Sequence, residues 1–372
     1  MTIMYDDFAP KMASVLTEYS VPVKPGDFVL ITSNIAGEPL VTALYEAIIR
    51  RGGNPVVNVG FSHLSEIRLK LGTDEQLGFL DPSAMTQIEN IDAYFSILSP
   101  INTRANSTAD PAKLQKVQAA QRPLIEKYFE RAGSGEINWV IAPWPTDAAA
   151  QQAEMGIHTY REFVYKACGL DQDDPVAYWQ GFQEKQTKIV DWLTGKQHAH
   201  IKGPGIDLQF DFGDRTWISC HGTENFPDGE IFTSPVETSV NGTVDFSHST
   251  YNGGREVNGV HFKFEDGCVV EASAKKGEEY LLMQLDMDEG ARRLGEFAIG
   301  TNYGVTQVTG STLFDEKIGG TIHMAIGEGF AEAGGSNKSA VHWDMVHGMQ
   351  DGGEIVVDGE LLYKNGEFVI DL

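Results

Sequence analysis

Positive charge is scarce in this sequence. Lysine and arginine together number 28 against 53 aspartates and glutamates, a formal net charge of -25 over 372 residues. Binding to nucleic acid or to an anionic membrane surface depends on cations that neutralise phosphate, so this balance argues against both as partners. Cysteine is also rare. Cys168, Cys220 and Cys268 lie far apart with no CxxC spacing, which excludes a zinc knuckle or redox dithiol and fits buried thiols in a reducing, cytoplasmic compartment. No run approaches the roughly 20 apolar residues of a membrane helix. The opening stretch Met1 to Asp7 has neither the basic start nor the apolar core of a signal peptide. No GxGxxG or GxxxxGK[ST] follows the first predicted strand, so the phosphate loop that a nucleotide site needs is missing.

What is present divides into two textures, and the length suits two domains with separate cores. Phe8, Met12, Val15, Leu16 and Tyr19 recur at three- and four-residue steps and predict a helix over 5–19. The break at Pro25, Gly26 and Asp27 precedes an apolar strand at 28–31. A helix over 38–51 then ends at Gly52 and Gly53, before a strand at 55–59. Further apolar runs at 93–98 and 139–143 continue this βαβ rhythm, which predicts a parallel sheet covered by helices. Beyond about residue 195 the pattern changes to strict alternation, as in Ile206 to Phe212, with strands expected at 243–246, 257–264 and 268–272. One helix is expected over 278–294. Asp358-Gly359 and Asn365-Gly366 predict a closing meander of hairpins. The fold class is therefore an α/β amino-terminal domain with a parallel sheet (1–195) and a mainly antiparallel β (α+β) carboxy-terminal domain (196–372).

Possible ligands gather in the second half. Glu230 lies in a Pro-Asp-Gly-Glu-Ile-Phe-Thr segment, Glu296 in Leu-Gly-Glu, and Glu316 and His323 in a Leu-Phe-Asp-Glu…His segment, while His342 and Asp344 form His-x-Asp. On an extended chain His-x-Asp points both side chains to one face. Imidazole nitrogen with carboxylate oxygen suits a borderline divalent ion such as zinc, cobalt or manganese. Two such ions can activate a bridging water and polarise a carbonyl, a route to amide hydrolysis without a protein nucleophile. Taken singly, each of these residues equally fits a solvated carboxylate or a hydrogen-bonded core histidine. Histidines outside the segments, including His63, His158, His221 and His248, are read as structural or solvated.

Together, and in this order along nearly the whole chain, these segments resemble the M29 family of metallo-aminopeptidases, the aminopeptidase T, aminopeptidase S and PepS type, with this chain a shorter, divergent member. The resemblance implies a cytosolic homodimer that removes amino-terminal residues from short peptides, its sites facing a space enclosed by the dimer. It also implies two divalent metal ions (Zn, Co or Mn) held by Glu230, Glu296, His323, His342 and Asp344, with Glu230 as the expected bridge. Glu316 is the expected catalytic proton carrier, and an ion pair with Lys317 is its alternative. The family pattern has a tyrosine seven residues after the histidine of the third segment, thought to assist at the carbonyl. Phe330 stands there in this chain, and Tyr303 is a candidate substitute. Two other readings stay open: an Fe(II)-dependent ring-cleaving dioxygenase of the 2,5-dihydroxypyridine type, which shares the fold and a terminal His-x-Asp, and a catalytically silent binding protein.

Overall fold

The computed structural model describes residues 7–372, and the predicted helix start at Tyr5 lies outside them. The chain forms two compact units. One ends at Trp179 and takes in Gly222–Phe226; the other comprises Gln180–His221 and Pro227–Leu372. The change of period near residue 195 coincides with the end of the helix Pro175–Leu193.

The first unit contains a four-stranded parallel sheet in the order Asn54–Gly60, Phe28–Asn34, Ala93–Leu98, Asn138–Pro143. Parallel neighbours need crossovers, and the helix Glu38–Arg50 supplies the first, burying Leu40, Val41, Leu44 and Ile48 along one stripe. The opening helix Phe8–Val15 continues as a wider π turn over Leu16–Ser20, closed by Val21 N donating to the Leu16 carbonyl at 2.8 Å.

The second unit stacks two large antiparallel sheets and adds a two-stranded one of Thr250–Asn252 and Arg255–Val257. Eight strands run in the order Cys268–Ser273, His261–Glu265, Asn241–Asp245, Ile206–Asp211, His198–Gly203, Glu354–Val357, Glu360–Lys364, Glu367–Phe368. Five run in the order His342–Gly348, Thr321–Gly327, Leu294–Gly300, Glu230–Thr233, Ile218–Cys220. Side chains from both large sheets share one core, with the rings of Phe210 and Phe297 4.8 Å apart across it. The closing meander forms as expected. Asp358, Gly359, Asn365 and Gly366 all take positive φ, the mirror-image turn geometry that matches strand twist.

Two expectations need correction. The helix expected over 278–294 stops at Leu285, because the Asp288 carboxylate accepts from Gly290 N at 3.0 Å and Ala340 N at 2.7 Å and turns the chain. Leu294 instead opens a strand, 1% exposed in the core. The strand expected over 257–264 is broken into Arg255–Val257 and His261–Glu265, with Gly259 at φ +63° between them.

A bulge decides which face Glu296 occupies. Leu294 pairs with Ile326 and Glu296 with Ala325, so two steps on one strand oppose one on its neighbour. Regular alternation would put Leu294 and Glu296 on the same face. The bulge at Gly295 sends Leu294 to the core and Glu296 to the opposite side. A Cβ on Gly295 would sit 2.3 Å from the Glu328 carbonyl oxygen and 2.6 Å from that of Gly327. Gly295→Ala is therefore expected to lower stability by about 1–3 kcal/mol, as overpacking does. It should also reduce metal uptake. Thermal unfolding and metal analysis of the purified variant check both, and a variant equal to the parent in each would mean that the bulge does not aim Glu296.

Candidate metal centre

Period-two alternation gives the five-stranded sheet two different faces. Ile231, Phe297, Met324 and Trp343 lie in the shared core. Glu230, Glu296, His323, His342 and Asp344 alternate with them and turn to the other face, where they meet. His323 Nε2 is 3.3 Å from Glu230 Oε2 and 3.5 Å from Glu296 Oε1. His342 Nε2 is 3.3 Å from Glu296 Oε2 and 3.6 Å from Asp344 Oδ1. The structure thus brings all five residues together, and Glu316 joins them: donor atoms of Glu230, Glu316 and His323 lie within 4.8 Å of one another, as do those of Glu296, His323 and Asp344.

The space for this cluster comes from the strand register. Glu230 pairs across the ladder with Gly300, Glu296 and Asp344 with Ala325, His323 with Ala298, and His342 with Gly327. Each of these partners is glycine or alanine, which leaves room on one side of each polar side chain, while Val346 and Cys220 flank His323 and Glu230 on the other side.

The loop before His323 delivers the remaining groups. The buried Asp315 carboxylate accepts from Thr309 N at 2.7 Å, Thr309 Oγ1 at 2.8 Å and Gly310 N at 2.8 Å, which ties 309–315 into a closed loop. Burial pushes its pKa up to about 6 against those hydrogen bonds. The next two residues, Glu316 and Lys317, enter the cluster. Lys317 Nζ, on a side chain 2% exposed, donates to Glu230 Oε1 at 2.5 Å and Glu316 Oε2 at 3.2 Å, and lies 3.7 Å from Asp228 Oδ1. Lys317, expected only as an alternative ion-pair partner of Glu316, and Asp228 were missed as members of the site, although each stands one or two positions from a proposed site residue in its own segment. Gln186 was missed too. Its side-chain amide donates to the Cys220 and Glu230 carbonyls, each at 3.0 Å, and so fixes the Glu230 strand from the helix Pro175–Leu193, with no local signal in the sequence.

Two observations test whether a cation fits. Glu230 Oε2 and Asp344 Oδ1 are buried without hydrogen-bond partners, an expensive arrangement unless a cation compensates. Both imidazoles are also oriented from behind. His323 Nδ1 donates to the Glu316 carbonyl at 3.1 Å and His342 Nδ1 to the Glu328 carbonyl at 2.9 Å, leaving each Nε2 directed at the carboxylates. The residues fit divalent metal ions.

The electrostatics are those of a metal-free cluster. Burial opposes charge on His323, but Glu296 and Glu230 outweigh it and raise its pKa to about 9. For His342 burial is likewise overcome, by Asp344 and Glu296, and the pKa rises to about 11. Burial raises Asp344, yet His342 draws it down to about 2. Glu316 goes the other way: burial first, then the charge of Asp344, pushes it up to about 8. The cluster holds ionised carboxylates beside one carboxyl that titrates near neutrality.

Phe330 lies at the more open side of the cluster, its ring 5.0 Å from those of His342 and Phe232. Tyr303 does not replace the missing phenol there, because its hydroxyl donates to the Gly366 carbonyl at 2.7 Å.

A buried carboxylate and imidazole cluster of this kind can hold divalent metal, and a family model described as thermophilic metalloprotease (M29) matches residues 6–368, so the class is metalloprotease. The chain belongs to the M29 family. It is similar to aminopeptidase T of Thermus thermophilus, 30% identical over 96% of this chain and 95% of that one. Among solved structures, wild-type AmpT from Thermus thermophilus superposes with a TM-score of 0.86 at 27% identity, covering 98% of this chain and all of that one. A 2,5-dihydroxypyridine dioxygenase from Pseudomonas putida KT2440 shares the fold, with a TM-score of 0.61 at 15% identity over 98% and 97% of the two chains.

Ala325 faces both Glu296 and Asp344, so Ala325→Val is expected to obstruct the centre while remaining apolar and β-compatible. Metal analysis should find less bound ion with the far-UV circular dichroism unchanged. Full metal content would show that the small residue is not needed.

Proposed function

We propose that this metal-dependent aminopeptidase removes the amino-terminal residue from short peptides at a dinuclear centre held by Glu230, Glu296, His323, His342 and Asp344. The observation that carries this reading is the position of Glu296 between the two imidazoles, one oxygen toward each. Glu296 would hold metal from a position between the two imidazoles, whereas Glu230, whose Oε1 is taken by Lys317, would offer Oε2. Charge favours further cations: the carboxyl groups of Asp228, Glu230, Glu296, Glu316 and Asp344 meet a single buried ammonium, that of Lys317. Three carboxylates among the five proposed ligands exceed what a mononuclear Fe(II) oxygenase uses, which disfavours the dioxygenase reading.

When bound, the ions supply Lewis acidity, which lowers the pKa of a water and polarises the scissile carbonyl. The protein's own groups do the rest. Glu316 takes the proton of the attacking water and hands it to the leaving amine, a task suited to a carboxyl whose pKa burial has raised toward neutrality. The Glu316 and Glu328 carbonyls hold the two imidazoles in register throughout. The side chain of His342 is 30% exposed against 1% for His323, so substrate enters from the His342 side, past Phe330. We further propose that the chain works in the cytoplasm as a homodimer with zinc, cobalt or manganese. No helix among the described residues is long and apolar enough to cross a membrane.

Metal-free protein reloaded with zinc, cobalt or manganese should hydrolyse amino-acid p-nitroanilides and dipeptides, with two ions bound. His342→Ala should lose this turnover and at least one ion. Glu316→Gln should keep both ions and lose roughly 10²- to 10⁴-fold in kcat, the usual worth of a positioned acid-base group. Loss of an ion from Glu316→Gln would instead make Glu316 a ligand, and no turnover with any metal would leave a silent binding protein. Phe330→Tyr should raise kcat with little effect on KM, because it adds a donor of a kind worth about 10²-fold or more at a developing oxyanion. An unchanged kcat would mean that this ring does not face the scissile carbonyl.

A further inference from the structure

Lys317 is the one cation of the LFDEK segment and lies at the centre of three acidic side chains. Its ammonium is buried at 2% exposure, so it neither meets solvent nor extends toward the open side of the cluster where His342 lies. Burial disfavours its charge, but Glu230, Glu316 and Asp228 outweigh that effect and hold its pKa well above the ordinary lysine value. The backbone on both sides is fixed: Lys317 N donates to the Phe314 carbonyl at 3.0 Å, and Asn302 N donates to the Lys317 carbonyl at 3.0 Å. This is a rigidly held point charge.

Its effect on Glu230 is asymmetric. Oε1 is bound to the ammonium, while Oε2, 3.3 Å from His323 Nε2, has no hydrogen bond. An unrestrained carboxylate on a divalent ion can donate through one oxygen or through both. One oxygen of Glu316 is held in the same way.

We propose that Lys317 is a positioning residue of the metal centre: by occupying one oxygen each of Glu230 and Glu316, it limits Glu230 to single-oxygen ligation and holds Glu316 beside the ions. This keeps a coordination position open for water and substrate, which a catalytic site needs and a structural one lacks. The assignment rests on the dinuclear aminopeptidase reading.

The test compares cobalt-loaded wild type with Lys317→Met, which removes the charge, and Lys317→Gln, which keeps a polar donor if the methionine variant fails to fold. The expected result is two cobalt ions still bound and a weaker visible d–d absorption, as a second Glu230 oxygen raises the coordination number. With it, kcat should fall roughly 10- to 100-fold, the range seen when an outer partner of a ligand is removed. KM should change little. A wild-type spectrum and kcat in a folded variant would overturn the proposal. So would both variants losing the fold together with the metal, because Lys317 would then be a structural residue. Wild-type protein that binds two cobalt ions beside unaffected variants sinks only the role of Lys317; wild type that neither binds cobalt nor hydrolyses peptides sinks the aminopeptidase reading itself.

Discussion

Asp228, Glu230, Glu296, Glu316 and Asp344 are drawn together out of water, and their mutual repulsion is the constraint to which the second unit answers. Desolvating a carboxylate costs several kcal/mol, and neighbouring charges of the same sign add to that cost. The metal-free cluster relieves it in three ways. One ammonium is buried among three of the acids, two imidazoles become cationic, and one carboxyl keeps its proton near neutrality. Cations that replace those protons would do the same job, and binding them would release the imidazole protons.

The scaffold that sustains this arrangement is a sheet used on both faces. On one face large apolar side chains join a core with the eight-stranded sheet, anchored by contacts such as Phe210 against Phe297. On the other, Gly300, Ala298, Ala325 and Gly327 each stand opposite a proposed ligand and leave room between the strands that carry them. The polar face is held by partners from outside the sheet: carbonyls behind each imidazole, Gln186 behind the Glu230 strand, and the loop tied by Asp315. Donors held this firmly cost little reorganisation when substrate arrives.

Much of this was legible in the sequence because it depends on local rules. Parallel strands between helices, alternating strands after residue 195 and the two closing turns follow from side-chain period and from the φ preferences of Asp-Gly and Asn-Gly. The pairing of His342 with Asp344 on one face follows from the same period. The expectation for Tyr303 failed because a phenol's partner is set by whatever backbone folds beside it, here the carbonyl of Gly366. The helix expected over 278–294 failed similarly. Its apolar spacing ran on, but Asp288 found partners in Ala340 and Gly290 that ended it.

The sequence by itself determined the fold class, the M29 membership and which six acidic and imidazole side chains belong together. These are properties of residue type and spacing, which the chain carries whether or not it is folded. The tertiary structure decided their roles. The face on which Glu296 lies depends on a bulge at Gly295 pressed against the carbonyls of residues 327 and 328. The oxygen that Glu230 can offer depends on an ammonium 87 positions away along the chain. Contacts of that range leave no periodic trace, because they arise between segments that meet only when the sheet is assembled.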